Sequence, residues 1–127
     1  MKFVTFTDIR KETLERLQGY RTDRQMIHVR GRGARRRVTL ACWVRAVEQV
    51  LSMYQQIQPE KARAMERLFG LRYPVPRCQN NRARMHALAK DFCIAESTMY
   101  KWRDEIVFAT MLAAAQNGAV RPFQQKD

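Results

Sequence analysis

The stretch "ESTMYK", residues 96–101, puts a carboxylate, two hydroxyls, a phenol and an amine within six positions. On a helix, Glu96, Ser97, Tyr100 and Lys101 are expected to point away from the apolar Met99 and Trp102. Ser97 is small and can donate or accept. Glu96 can accept from a cytosine amino group, and Lys101 can reach a guanine or a phosphate. These groups suit recognition of base edges better than covalent chemistry. Elsewhere the chain offers no paired carboxylates at metal spacing and no nucleophile beside a base, and His28 and His86 are isolated. An outward Tyr100 reads as a contact residue and not as a nucleophile. No catalytic residue is therefore assigned, and an enzyme, such as a nuclease or recombinase fragment, is disfavoured. Cys42, Cys78 and Cys93 are odd in number and form no CxxC pair. They read as packing residues, and a Cys78, His86 and Cys93 site lacks both ligand spacing and a fourth partner. Neither a metal nor a cofactor is expected.

Net charge is the strongest global signal. The 127 residues carry 24 Lys plus Arg against 12 Asp plus Glu, a formal charge of +12. That balance calls for a polyanion: DNA, RNA or an anionic membrane surface. Arg outnumbers Lys, which suits bidentate contacts to phosphate and guanine. The excess is concentrated at 1–40, with a net of +7, and at 59–92, with a net of +5. The densest run is "RGRGARRR", where Arg30, Arg32, Arg35, Arg36 and Arg37 surround two glycines. It cannot form a core and reads as a mobile basic arm for phosphates or an adjacent minor groove. A solvated loop without a partner is the plain alternative. No apolar stretch is long enough to span a membrane or to serve as a signal-peptide core, so a cytoplasmic protein is expected. The basic residues do not line an amphipathic helix opposite a large apolar face, which argues against a membrane surface.

The elements that must position these residues follow from punctuation and periodicity. Thr7 or Asp8 can cap a helix through Ile9, Leu14 and Leu17 that stops at Gly19. "QMIHV" suits a short strand or contact segment. Thr39 starts a helix whose face is Leu40, Trp43, Val44, Val47, Val50, Leu51 and Tyr54. Pro59 opens another, with the stripe Ala62, Met65, Leu68 and Phe69 and a stop at Gly70. After "LRYPVPRCQNN", Asn80 or Asn81 caps a helix carrying Met85, Leu88, Ala89 and Phe92. The last helix begins near Glu96 and runs to about Gln116, with Met99, Trp102 and Ile106 inward and Phe108, Met111 and Leu112 on a second face. Burial of that second face requires the N-terminal helix or a second copy of the chain. The fold class is all-α: a small helical bundle with a C-terminal helix-turn-helix and a long last helix. Residues 1–38 form an N-terminal helix and basic arm, 39–117 the helical domain with the helix-turn-helix at 82–105, and 118–127 a flexible tail.

The helix-turn-helix reading rests on spacing. Ala89 is the small residue where two helices cross, and Leu88, Phe92, Ile94, Met99 and Trp102 fill the angle between them. Cys93 stands where the tight turn favours Gly, at a cost of roughly a kilocalorie per mole for a left-handed backbone. An ordinary helical hairpin is the alternative. "ARMHALAKDFCIAESTMYKWRDEI" resembles the helix-turn-helix of bacterial sigma factor region four and of small phage transcription regulators, namely late-gene activators and the Q-type antiterminators of lambdoid phages. "QPEKARAMERLFG" is similar to the helix that often precedes it, so the resemblance covers roughly 59–115. It implies that Glu96, Ser97, Tyr100 and Lys101 face bases or nearby phosphates, with Arg84 and Arg103 near the backbone; 1–38 match no such family.

The reading that follows is a sequence-specific DNA-binding transcription regulator of phage or prophage origin in a bacterial host. Its phosphate contacts would come from the Pro59 helix and from 82–90, Arg82 included. Partners would be double-stranded DNA, RNA polymerase or a sigma factor, and a second copy if half-sites are paired. The alternative is an RNA-binding or polymerase-associated adaptor using the Arg-rich arm.

Overall fold

The computed structural model describes residues 2–3, 5–27, 34–119 and 125–126, with side chains over 5–27 and 38–119. These form α1 (Phe6–Gln18), α2 (Tyr20–Met26), α3 (Ala34–Ile57), α4 (Pro59–Phe69), α5 (Asn81–Asp91) and α6 (Glu96–Gln116). A two-residue antiparallel pair joins β1 (Lys2–Phe3) to β2 (Gln125–Lys126). The class is all-α. The strand pair was not expected, and it ties Gln125–Lys126, within the supposed flexible tail, to the opposite end of the chain.

Local chemistry sets the helix ends. Thr5 caps α1 in a capping box: its hydroxyl accepts from the Asp8 N–H at 3.1 Å and the Asp8 carboxylate accepts from the Thr5 N–H at 3.2 Å. The cap is thus two or three residues earlier than Thr7 or Asp8, because Asp8 serves as the reciprocal partner at the third helical position. Asn80 caps α5, its side chain accepting from the Ala83 N–H at 2.8 Å. Pro59 occupies the first turn of α4, and Gly70 ends it with φ 64°. A Cβ on Gly70 would stand 3.0 Å from Val75 Cγ2 and 3.2 Å from the Tyr73 carbonyl, so the turn needs glycine for its backbone and for its space.

Two expectations near the N-terminus are corrected. The first helix does stop at Gly19, which keeps φ at −93°, but a second helix, α2, follows at once with Tyr20 buried. Gln25 and Met26 are its last residues and not part of a strand; His28 and Val29 lie outside the described residues. Further on, α3 starts at Ala34 and not Thr39. Arginine is nearly as good a helix former as alanine, and "ARRR" extends the helix backwards once its apolar stripe is buried. Arg35, Arg36 and Arg37 therefore lie on the first turns of α3 instead of a mobile arm, and the boundary at 38/39 falls inside a helix. Arg30 and Arg32 lie outside the described residues.

The core forms around α3 and α6. Helix α3 packs against α2, α4 and α6, and α6 also packs against α1 and α5. Trp43, Val44, Val47 and Val50 of α3 are buried, as are Leu17 of α1, Met65 of α4 and Met85 of α5. Thr13 and Thr110 are buried too, and each hydroxyl donates to the carbonyl four residues back, Ile9 at 2.7 Å and Ile106 at 2.8 Å. This satisfies both hydroxyls within their own helices.

Helix α6 departs from expectation on two points. At about 100° per residue, Met99, Ile106, Thr110 and Ala113 share one line, and Val107, Met111 and Ala114 flank it on one side. All seven are buried. Trp102 falls on the opposite flank of that line and is only half-buried, packed at the edge of the core. Phe108 and Leu112 point the other way and are 51% and 52% exposed. Helix α6 does pack on α1, with Arg10 paired to Asp104 at 3.3 Å, while Phe108 and Leu112 stay outside the core. No helix among the described residues is long and apolar enough to cross a membrane.

Candidate nucleic-acid interface

The turn between α5 and α6 is only four residues, Phe92 to Ala95. Cys93 takes φ 55°, the only non-glycine positive φ among the described residues. The Cys93 N–H donates to the Lys90 carbonyl at 3.1 Å and the Ile94 N–H to the Ala89 carbonyl at 3.0 Å. These are the two bonds of a Schellman ending, which turns the chain sharply and satisfies carbonyls the helix would otherwise leave open. Ala89, Leu88 and Met99 are buried at the crossing, with Phe92, Ile94 and Trp102 half-buried around them. All six residues that the spacing assigned to the angle thus belong to the core or pack against it.

The four expected base-facing residues divide. Ser97 and Lys101 lie on the outward line of α6 and are exposed. Lys101 has the Glu105 carboxylate 4.0 Å away, an exposed pairing one turn along that a phosphate can displace. Glu96 and Tyr100 sit one position closer to the core on the helical wheel and are half-buried. Tyr100 packs against the core. Glu96 Oε1 contacts His86 Nδ1 of α5, so its carboxylate clips the two helices together. Glu96 is thus not freely presented, because its angular position turns it towards α5.

The basic residues also divide. Arg82 is exposed on the first turn of α5, and Arg103 is half-exposed on α6. Arg84, expected at the phosphate backbone, is half-buried instead: its Nη2 donates to the Arg67 carbonyl at 3.3 Å, and its Nε is buried with no acceptor among the described residues. Burial, and then the neighbouring Arg103, push the Arg84 pKa down. The two guanidiniums therefore share one electrostatic neighbourhood. On α4 the expected phosphate contacts are largely engaged within the fold. Arg67 pairs with Asp91 at 2.7 Å and lies over the Phe92 ring at 5.6 Å; Arg63 pairs with Glu60 at 3.8 Å. Lys61 is buried, its Nζ pairing with Glu105 of α6 and lying 4.8 Å from the Tyr54 ring centre. Sequence reading missed this role, although Lys61 lies one turn before Met65, on the stripe that α4 buries. The groove beside Arg84, flanked by the 70–80 loop, was missed as well; its residues are scattered through α4, the loop and α5 and carry no local motif.

Among the described residues no three His, Cys, Asp or Glu side chains gather as metal ligands. Comparison of the chain with family models, curated proteins and solved structures returns no match.

Proposed function

We propose that the protein binds double-stranded DNA through the α5–α6 helix-turn-helix and acts as a sequence-specific transcription regulator. The observation that carries this reading is the Cys93 turn. It joins α5 to α6 through four residues, with Ala89 buried and Ser97 and Lys101 exposed on the first turns of α6. The formal charge of +12 supplies the long-range attraction that such a protein needs. Arg82, exposed on the first turn of α5, suits phosphates, whereas Ser97 and Lys101 suit base edges; Arg103 lies towards Arg84, on another flank of α6. The resemblance of 59–115 to phage activators and antiterminators narrows the proposal to a regulator of phage or prophage transcription that works with the host RNA polymerase.

The test is fluorescence anisotropy of labelled duplex DNA against protein across a salt series. The expected result is binding that weakens linearly in log–log form with salt and is weakened further by Arg82→Ala and by Lys101→Ala. Salt-independent binding, or binding unchanged by both substitutions, contradicts the proposal. Preference for structured RNA over duplex DNA would favour the adaptor reading instead.

A further inference from the structure

A groove of about 820 Å³ opens between α4, the 70–80 loop and α5. That is within the range of small-molecule sites, roughly 300–1,000 Å³. Its charged wall is nearly self-neutralised. Arg63 pairs with Glu60 at 3.8 Å, Arg67 with Asp91 at 2.7 Å and Arg72 with Glu66 at 3.7 Å. Arg84 lines the same groove and meets no carboxylate among the described residues. It makes one long hydrogen bond, to the Arg67 carbonyl, and keeps a buried Nε without an acceptor. The nearby Arg103, also without a carboxylate partner among the described residues, adds to the positive potential there. A half-buried guanidinium with an idle donor beside a second cation is the electrostatic half of an anion site.

The other half is apolar. Tyr73 lines the groove with 74% of its surface exposed, and Pro74, Pro76, Leu88 and Phe92 continue the wall. An exposed aromatic ring and prolines in the same groove as an arginine without a carboxylate partner among the described residues match a ligand with a charged end and a flat body. The groove has the volume of a small-molecule site, and a duplex is too wide to enter it.

We propose that this groove binds a small organic anion, a carboxylate or phosphate carried on a flat ring, with Arg84 holding the anion and Tyr73 and Phe92 lying against the ring. The site is separate from the Ser97–Lys101 face, and its existence does not depend on DNA binding. Its floor includes Phe92 and Cys93, the residues that turn the chain from α5 to α6.

Two of the three cysteines report on it directly. Cys78 and Cys93 line the groove and are exposed, whereas Cys42 lies on α3, outside it, and serves as the internal control. The experiment is N-ethylmaleimide modification of the full chain under reducing storage conditions, followed by peptide mass spectrometry, with phenyl phosphate as the probe. Modification of Cys78 and Cys93 should slow with saturation, about tenfold at ten times the dissociation constant, while Cys42 is unaffected. Inorganic phosphate and benzyl alcohol at the same concentrations should protect far less, since each supplies only half of the ligand. Protection should be lost in Arg84→Gln, which removes the guanidinium but keeps a polar amide, and in Tyr73→Ala, whose side chain is too exposed to be needed for folding. Absence of saturable protection by phenyl phosphate overturns the proposal, as does protection that survives in both variants. Protection by duplex DNA but not by phenyl phosphate overturns it too, and makes the groove part of a duplex contact.

Discussion

Replacing Cys93 with glycine should stabilise the protein. The residue is exposed and holds φ at 55°, a left-handed conformation that costs an L-residue about 1–2 kcal/mol. Glycine removes that cost but raises the entropy of the unfolded chain, which returns about 0.4–1 kcal/mol. The exposed thiol contributes little packing, so the net gain is about 0.5–1 kcal/mol. In a chain of 127 residues that corresponds to a rise in Tm of about 2–5 °C. The assay is urea and thermal denaturation by circular dichroism under reducing conditions, comparing Cys93→Gly, Cys93→Ala and Cys93→Val. Alanine should match the wild type, because it keeps the Cβ that creates the strain. Valine should be less stable, since β-branching adds to that strain. A glycine variant no more stable than the alanine variant would refute the reasoning, and with it the left-handed turn that sets α5 against α6.

Gly70→Ala should destabilise by at least about 1–2 kcal/mol, since it combines a left-handed backbone with a Cβ 3.0 Å from Val75 Cγ2; a loss below about 0.5 kcal/mol in urea denaturation would count against that turn. Lys61→Ala should cost about 2–3 kcal/mol, because it removes a buried stem and leaves Glu105 without its buried partner, whereas Lys101→Ala should change stability by no more than about 0.5 kcal/mol. Equal effects of the two lysines in the same denaturation assay would contradict the difference in burial. Burial, and then the charge of Glu105, raise the Tyr54 pKa above 10.0. The folded state therefore holds that proton more tightly than the unfolded chain; its contribution to stability is present in full below pH 10 and is lost as the pH climbs from there through the raised value. Tyr54→Phe should flatten the fall in stability between neutral and alkaline pH, read as urea midpoints against pH.

Those parts of the fold that depend on local chemistry were legible in the sequence. Gly19, Pro59, Gly70 and Asn80 mark helix ends in the structure, and α6 runs from Glu96 to Gln116 as its pattern implies. The apolar stripes of α3 and α4 are buried with few exceptions, Leu51 being one. What was not legible depends on angles and on long-range packing. Periodicity placed Trp102 with Met99 and Ile106, but only the crossing of α5 and α6 decides where the buried arc is centred, and Trp102 falls at its edge. The same rotation turns Glu96 towards His86 and leaves Ser97 and Lys101 facing out. A lysine inside an apolar stripe, Lys61, has its carboxylate partner 44 residues away, and no local pattern announces that distance. The start of α3 was misplaced because Thr39 has the chemistry of a cap, whereas helix propensity carries the helix back to Ala34.

The central claim is that the exposed start of α6 reads DNA sequence, and selection from a random duplex library by the full chain tests it most directly. The account predicts enrichment of a single motif by the wild type. Lys101→Ala and bulky substitutions of Ser97, both at exposed positions, should relax or change the preference at one or two base pairs, at a cost of about 1–3 kcal/mol each at the selected site. Arg82→Ala should weaken binding and leave the motif intact. A library that emerges unenriched, or a motif unaltered by both the Ser97 and the Lys101 variants, would contradict the account and move the polyanion to another face of the protein.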